Sequence, residues 1–299
     1  MRPAPEERSV EDLCAFGVVN LDKPAGPSAH QVAAWVRDIL GVDRAAHAGT
    51  LDPKVTGCLP TLTGDATRLA PVFLEGAKEY VAVLELHGSA PTDLERVVAE
   101  FEGELYQKPP RKSAVKRRLR TREVYDLTVL DQTDRQVLLR IRCESGTYVR
   151  KLCHDIGLAL GTGGHMGHLR RTATDPFDDR DLHTLHDLAD GVAFADGRDT
   201  PDGDPDESLI WEVLRPAEEA MTGLPSLTIA DSAAREVANG APVYAPGVVA
   251  SGAFGAGDPD DGDLLACYTP DGSAVCLGRL VGDPDADAGE VVSLERVLV

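Results

Sequence analysis

The run EYVAVLELH at 79–87 constrains the fold of this chain most, because its residues follow the period of two that defines a half-buried strand. One face of this strand would carry Tyr80, Ala82, Leu84 and Leu86. The segment 28–40 has the period of a helix instead, with Ser28 and Gln31 at the spacing of a capping box and Gly41 as the stop signal. Strands and helices are therefore both expected early in the chain.

Two further strands are predicted at 122–131 and 136–143, and the second leads into a helix within GTYVRKLCHDIGLALG. This helix leaves Arg150 at the edge of its apolar stripe, near the first turn. The stripe consists of Val149, Leu152, Cys153, Ile156 and Leu160. Because the elements mix without βαβ regularity, the pattern favours an α+β domain with a mixed or antiparallel sheet.

The C-terminal part is rich in strand-like runs and holds one short helix candidate, at 232–239. Pro270-Asp271-Gly272 between apolar runs indicates a hairpin, so a small β-barrel-like module is expected. The acidic, Gly- and Pro-rich stretch 192–207 predicts a flexible loop. Four parts are therefore expected: an N-terminal arm at 1–13, the α+β domain at 14–190, an acidic loop and linker at 191–222, and the β-rich module at 223–299.

The net charge of −20 is unusual, and 23 of the 30 basic residues are Arg. This composition is typical of a halophilic protein from a salt-rich cytoplasm. At about 1 M salt the Debye length falls to roughly 3 Å, so surface acids no longer repel a distant polyanion. The alternative is a protein from an ordinary cell that is acidic by chance.

The sequence was searched for a signal peptide, for a membrane-spanning run and for paired cysteines. Neither a signal peptide nor an apolar run of about 18 residues is found, so a cytoplasmic protein without membrane association is expected. The six cysteines form no CxxC pair, which argues against a zinc ribbon or a disulfide framework and favours buried free thiols.

The segment 108–122, KPPRKSAVKRRLRTR, holds eight basic side chains and no acidic one. A solvated face or a disordered tail would explain it. Its position after Pro109-Pro110 and before a strand also suits a loop that grips RNA phosphates.

Asp52 lies in HAGTLDPKVTG, directly before Pro53 and between Gly49 and Gly57. A residue before proline is pushed out of the helical region, and the glycines permit close approach, so this loop could present a carboxylate to a cleft. Turn chemistry alone favours Asp52 as a local capping acceptor. A catalytic carboxylate would need a nearby cation to stay ionised, and Arg150 could supply one, although it could equally be a surface residue that snorkels.

The chain resembles the TruB-type pseudouridine synthases, because five motifs occur in the family's order. They are GVVNLDKPAGPSAHQVAAWVRDILG (17–41), HAGTLDPKVTGCLP (47–60), KEYVAVLELHG (78–88), SGTYVRKLCHDIG (145–157) and HLRRTATDPF (168–177). The resemblance covers about 18–190. The basic run and the C-terminal module look like the guide-dependent dyskerin branch, in which a C-terminal PUA domain binds RNA. Ala46 and Asp175 stand where the family usually has glycine, a change that removes no chemical group.

The resemblance implies a role for each matched residue. Asp52 would be the essential carboxylate, Arg150 its ion-pair partner, and Tyr80 the aromatic side chain that stacks on the flipped uracil. Further residues would contact the substrate: His47, Leu169, Tyr148, Lys23 and, from the basic run, Arg111, Lys112, Lys116, Arg117 and Arg118. No metal or organic cofactor is implied. Without the resemblance, Tyr80 would be interpreted as a core strand residue and His47 as a turn residue.

Three functions compete at this point. The leading one is the catalytic subunit of a box H/ACA ribonucleoprotein, with guide RNA, substrate rRNA or tRNA and small accessory proteins as partners. A stand-alone tRNA T-loop pseudouridine synthase is the nearest rival. A non-catalytic RNA scaffold is the third, but it would have no reason to keep Asp52, Tyr80 and Arg150 together.

Overall fold

The computed structural model describes residues 1–109, 116, 118–251 and 259–299. Within these residues the helices are α1 (Val10–Ala15), α2 (Ala29–Leu40), α3 (Ala70–Glu75), α4 (Leu94–Ala99), α5 (Val149–Ala159), α6 (Leu185–Ala195), α7 (Ser208–Val213) and α8 (Asp231–Ala238). Short 3-10 segments occupy Pro5–Glu7, Gly64–Leu69, Ala217–Met221 and Ala245–Gly247.

The described strands fall into two sheets. The first contains β1 (Gly17–Lys23), β2 (Ala45–His47), β3 (Thr56–Thr63), β4 (Lys78–Leu86), β5 (Gly103–Gln107), β6 (Arg120–Gln132), β7 (Gln136–Cys143), β8 (Gly164–Thr174), β9 (Phe177–Asp178) and β10 (Arg215–Pro216). The second contains β11 (Ser226–Ile229), β12 (Val243–Tyr244), β13 (Val248–Ser251), β14 (Leu264–Tyr268), β15 (Ala274–Leu280) and β16 (Glu290–Val297).

The first sheet runs in the order β10-β1-β3-β8-β4-β7-β6-β5, with β2 on β3 and β9 on β8. Its β3–β8 pair is parallel, whereas β4 pairs antiparallel with both β7 and β8. Helices and strands mix without a repeated βαβ unit, which confirms the expected α+β class and mixed sheet. The parallel step brings the start of β3 beside the end of β8, and this junction holds the candidate site.

Local signals at α2 and β4 acted largely as predicted. The Ser28 hydroxyl accepts a hydrogen bond from the Gln31 backbone at 3.1 Å, and Gly41 ends the helix with a left-handed φ of 64°. On β4, Ala82, Leu84 and Leu86 are buried on the expected face. The period of 3.6 residues therefore predicted helix α2 correctly, and the period of two predicted strand β4 correctly.

Two apolar cores meet at the middle of the first sheet. One is built on β4, β6, β7, α4 and α5, and the other on β1, α2, α6, α7 and the loop before β3. Tyr80 and Leu169 are partly buried and pack against both cores. The strands β4 and β8 therefore lie along the boundary at which a cleft can open.

The second sheet forms the predicted β-rich C-terminal unit, with strand order β12-β16-β15-β14-β11-β13. The turn through Asp271 joins β14 to β15, as expected. Helix α8 is followed by Gly240 at a φ of 93°, close to the expected stop. A core of its own fills this unit, and a shared core joins it to the first sheet through Phe16, Leu62 and Leu277.

The N-terminal arm helps to join the two units. Arg8 donates to both carboxylate oxygens of Glu218 at 2.7 Å, and Glu218 also accepts a hydrogen bond from the Ala274 backbone at 3.0 Å. The guanidinium is fully buried and the carboxylate is nearly so. This junction is an internal structural ion pair.

Part of the expected acidic loop and linker at 191–222 is helical. Helix α6 continues to Ala195, and α7 and the 3-10 segment after it bury Ile210, Val213 and Met221 in the cores. Turns without regular structure occupy 196–207 only. The acidic composition therefore predicted the loop at 196–207 but gave no sign that the apolar residues after it are buried.

Five of the six cysteines are buried and all six are free, as predicted for core thiols. Among the described residues, no helix combines the length and the apolar character needed to cross a membrane.

Candidate active site

The loop 48–55 between β2 and β3 presents Asp52 to solvent. Leu51 and Val55 on either side of it are each only 4% exposed, whereas the Asp52 side chain is 52% exposed. The Val55 backbone donates to the Asp52 carbonyl at 3.0 Å, which closes a tight turn over Pro53. Two buried anchors thus hold an accessible carboxylate in a fixed position.

Lys23 holds this loop in place through hydrogen bonds to its backbone. The residue is buried, and its ammonium donates to the carbonyls of Val55 at 2.8 Å, Pro53 at 3.2 Å and Pro24 at 2.8 Å. Burial lowers the pKa of Lys23. Because its three protons are all used by backbone carbonyls, Lys23 supports the loop rather than offering a group to substrate.

Arg150 enters the site from the first turn of α5. Tyr148 is the residue that caps this helix, and its backbone is held by a reciprocal pair of hydrogen bonds with the Gln107 side chain, at 2.8 and 3.3 Å. From this start, the Arg150 guanidinium reaches across to form an ion pair with the Asp52 carboxylate. The two residues are 98 positions apart in sequence, so only the fold brings them together.

The environment of this pair suits a working carboxylate. The Arg150 side chain is 50% exposed and that of Asp52 is 52% exposed, so a ligand can approach both. A neighbouring cation favours the ionised form of a carboxylate. The ion pair therefore combines a charged carboxylate with an open approach.

Tyr80 and Leu169 lie on the strands behind this loop. Tyr80 on β4 pairs in register with Arg171 on β8, and Leu169 pairs with Ala82, so these four side chains share one face. Burial raises the pKa of the Tyr80 phenol, while the charge of Arg171 and hydrogen bonding to it act in the opposite direction. A partly buried aromatic ring beside an apolar side chain forms a surface on which a base can stack.

His47 lies at the end of β2 and contacts a histidine that the sequence analysis had not selected. Its Nε2 lies 3.4 Å from Nδ1 of His30 on α2, and the two rings meet edge to face at 4.6 Å. Burial, followed by the charges of His30 and Arg171, lowers the pKa of His47 to about 4. The ring is therefore neutral at physiological pH, able to accept and donate one hydrogen bond each.

The basic run is described only in part. Lys116 and Arg118 are exposed, and the Arg118 backbone donates to the Lys116 carbonyl at 2.9 Å. Arg111, Lys112 and Arg117 lie outside the described residues. Exposed cations at 116 and 118 are available to a polyanion.

Two residues at the site were missed by sequence analysis: His30 and Arg171. His30 is two positions after the predicted capping residue Ser28, and its local pattern indicated only a helix. Arg171 stands two residues after Leu169 on a strand, so the period of two would have put it on the same face as that candidate. Nothing local indicated that so large a charged side chain would be 1% exposed.

Three family models match segments of this chain. A family model described as TruB family pseudouridylate synthase (N terminal domain) matches 37–149, one described as tRNA pseudouridylate synthase B C-terminal domain matches 150–222, and one described as DKCLD (NUC011) domain matches 3–33.

Full-length relatives are similar over nearly the whole chain. The probable tRNA pseudouridine synthase B of Halobacterium salinarum is 69% identical over 100% of this chain and 99% of its own length. That of Haloarcula marismortui is 62% identical over 100% of this chain and 94% of its own length. These organisms fit the halophilic composition.

Solved structures also match nearly the whole chain. A chain of the crystal structure of a Cbf5-Nop10-Gar1 complex has a TM-score of 0.89 and 44% identity, over 99% of this chain and 89% of that chain. A chain of an H/ACA RNP bound to a substrate RNA containing 2'-deoxyuridine has a TM-score of 0.88 and 41% identity, over 100% of this chain and 91% of that chain.

The fold and its matched motifs define an enzyme that isomerises uridine in RNA. The chain belongs to the TruB family of pseudouridine synthases.

Proposed function

We propose that this chain isomerises uridine to pseudouridine in rRNA or tRNA, with Asp52 as the catalytic carboxylate and a box H/ACA guide RNA selecting the target in the cytoplasm. One observation carries the chemical part of the proposal: Asp52 and Arg150 form an ion pair on an exposed loop whose flanks are buried. A carboxylate in this setting is both ionised and open to a nucleotide.

The reaction requires a nucleotide that has left its helix. A base stacked in a duplex does not expose its glycosidic bond, so the target uridine must be flipped into the site. Asp52 attacks or assists at the nucleotide while the base detaches, turns and rejoins the ribose through carbon. Stacking on Tyr80 stabilises the flipped base by about 1–3 kcal/mol, and Leu169 lines the apolar side of the pocket.

His47 and the basic run supply contacts to the rest of the RNA. A neutral His47 accommodates the extruded nucleotide without adding a charge beside Arg171. Lys116 and Arg118, together with Arg111, Lys112 and Arg117, bind phosphates around the target. Tyr148 and Lys23 act in support, by starting the helix of Arg150 and holding the loop of Asp52.

Guide dependence is supported by the matched structures. The Cbf5-Nop10-Gar1 complex and the H/ACA RNP bound to substrate RNA both contain a chain that is at least 41% identical to this one over nearly its full length. By this likeness, the unit 14–190 is catalytic, 223–299 is a PUA domain that holds the guide RNA, and small accessory proteins complete the particle. The buried contacts of 208–221 join these two units.

A second candidate is favoured by the names of the relatives. The Halobacterium and Haloarcula proteins are both called probable tRNA pseudouridine synthases, which supports direct action on tRNA without a guide. The same active site would serve both reactions, because only the route by which the uridine is presented differs.

The two candidates separate in one assay at molar potassium chloride. Purified protein is incubated with unmodified tRNA, and separately with a guide-matched target RNA, each with and without guide RNA and accessory proteins. Guide-dependent function predicts pseudouridine in the matched target only when the guide is present. Modification of tRNA that is unaffected by guide and accessory proteins would reject guide dependence as the main function, and absence of pseudouridine in every arm would reject the proposed activity.

A further inference from the structure

Arg171 occupies the centre of the candidate site although it was not among the expected functional residues. It lies on β8 between two strands of the site, with Gly57 of β3 and Tyr80 of β4 as its register partners. Its side chain is buried, at 1% exposure. Burial removes the hydration of an arginine, and this loss is offset only by a paired anion or by a set of hydrogen bonds.

The hydrogen bonds of Arg171 go to Gly49, near the start of the Asp52 loop, and to Cys58 on β3, which follows the loop. Its Nε donates to the Cys58 carbonyl at 2.7 Å, and one terminal nitrogen reaches the Gly49 carbonyl at 3.4 Å. Lys23 holds the middle of the loop from another side, at Pro53 and Val55. Arg171 therefore ties the start of the loop, and the strand that follows it, to β8 beside Tyr80.

Two glycines allow this approach. Gly49 has a φ of 101°, and a Cβ there would lie 3.4 Å from a terminal nitrogen of Arg171. Gly57 has a φ of 99°, and a Cβ there would lie 2.1 Å from the Arg171 carbonyl oxygen. A side chain at either position would strain the backbone, and one at Gly57 would also clash with the Arg171 carbonyl.

The charge of Arg171 is not neutralised by pairing. Within the described part of the chain, no carboxylate oxygen lies within 4 Å of its guanidinium. A second buried cation, Lys78, donates to the carbonyls of Phe73 and Gly76, and burial followed by the charge of Arg171 lowers the pKa of Lys78 to about 8. The strand face beneath the loop thus holds two buried cations, and the charge of Asp175 partly offsets the lowering of the Lys78 pKa.

We propose that Arg171 is a positioning residue for the isomerisation: it fixes the start of the Asp52 loop and the β3 strand that follows it, and it supplies a positive charge without a carboxylate partner beside Tyr80. A fixed positive charge of this kind stabilises negative charge that develops on a bound base without reorganising during the reaction. The inference rests on the proposed function, because it assumes that Asp52 and Tyr80 act on the target nucleotide.

Three variants test this role: Arg171→Met, Arg171→Lys and Arg8→Met. The first removes the charge and the hydrogen bonds, the second keeps the charge, and the third removes another buried arginine outside the site. Single-turnover rates and RNA dissociation constants are measured on one RNA that the wild type modifies, below the unfolding temperature of every variant.

We expect Arg171→Met to slow turnover by about 100-fold, the scale seen when one preorganised donor is removed, with RNA affinity nearly unchanged. Arg171→Lys should recover about tenfold of this loss because it retains the charge. Arg8→Met should turn over at the wild-type rate. A wild-type rate for Arg171→Met, or an equal loss for Arg8→Met, overturns the proposal, and a Lys variant as slow as the Met variant overturns the part assigned to charge.

If Arg171→Met does not fold, Gly49→Ala disturbs the same contact while leaving the charge in place. The proposal then predicts slower turnover with retained RNA binding, and an unchanged rate contradicts it. A wild-type protein without activity on any RNA would reject the proposed function instead, so the two failures are distinct.

Discussion

Two arginine–carboxylate pairs in this protein have the same chemistry and opposite surroundings. Arg8 and Glu218 are almost fully buried at the junction of the two sheets, whereas Arg150 and Asp52 are each about half exposed, at 50% and 52%. Glu218 has both oxygens occupied by Arg8 and accepts a third hydrogen bond from Ala274. Asp52 retains exposed surface for a ligand.

We interpret the buried pair as structural, and the proposed function makes the exposed pair catalytic. Exposed ion pairs contribute about 0–1 kcal/mol to folding, so stability alone gives little reason for Asp52 and Arg150 to meet. Breaking a buried pair leaves an uncompensated charge and is far more costly. The contrast predicts that substitutions at the first pair change stability and substitutions at the second change turnover.

The largest effect on folding is expected for Arg8→Met. Among the described residues, this variant leaves the buried Glu218 carboxylate with the Ala274 amide as its hydrogen-bond donor and the charge of Arg2 nearby, so unfolding should require about 3–5 kcal/mol less free energy. Urea unfolding at fixed salt measures this difference. A loss below about 1 kcal/mol would show that the buried pair behaves like a surface pair, and the comparison would fail.

Arg150→Met should have the opposite profile. We expect turnover to fall by about 100-fold because the carboxylate loses its cation, while the free energy of unfolding changes by less than about 1 kcal/mol. Single-turnover rates and urea unfolding on the same preparation test both parts. Unchanged turnover, or a stability loss as large as that of Arg8→Met, would contradict the catalytic interpretation of the exposed pair.

A smaller effect is expected at His47, which lies inside the site but is not part of either pair. The pKa of His47 is lowered to about 4 in the folded protein, below the value of about 6.5 expected for an unfolded chain. Between these values the unfolded state binds more protons, so the contribution to stability is present above pH 6.5 and is lost as pH falls towards 4.

The His47→Gln variant tests this dependence. We expect the difference in unfolding free energy between wild type and variant to shift in favour of the variant as pH falls from 6.5 to 4, with His30→Gln as a matched control on the partner ring. A difference that stays constant over this range would show that burial does not keep His47 neutral.

The sequence predicted the local elements of this site better than its long-range contacts. The helix of Arg150 was recognisable from its apolar period, which is a local signal, whereas Asp52 was selected by the family resemblance, because turn chemistry alone favoured a capping acceptor. Their meeting depends on the parallel pairing of β3 with β8, which no local pattern encodes.

Long-range packing explains what the sequence did not indicate. Composition predicted a flexible loop at 192–207, and nothing in it indicated that Ile210 and Val213 are buried against helices distant in sequence. Arg171 was missed because its burial depends on carbonyls at Gly49 and Cys58, more than a hundred residues away. Charged side chains are usually exposed, so a sequence alone favours the wrong environment for such a residue.

Asp52→Asn tests directly whether Asp52 is the catalytic carboxylate, with Asp126→Asn as its matched control. Asp126 forms a half-exposed ion pair with Arg140 at 3.5 Å on the same sheet, so it resembles Asp52 in exposure and partner. We expect Asp52→Asn to bind RNA normally and to lose turnover by about 10⁴-fold or more, the scale expected when an essential catalytic group is removed, while Asp126→Asn retains wild-type turnover. Substantial pseudouridine formation by Asp52→Asn would rule out Asp52 as the catalytic carboxylate.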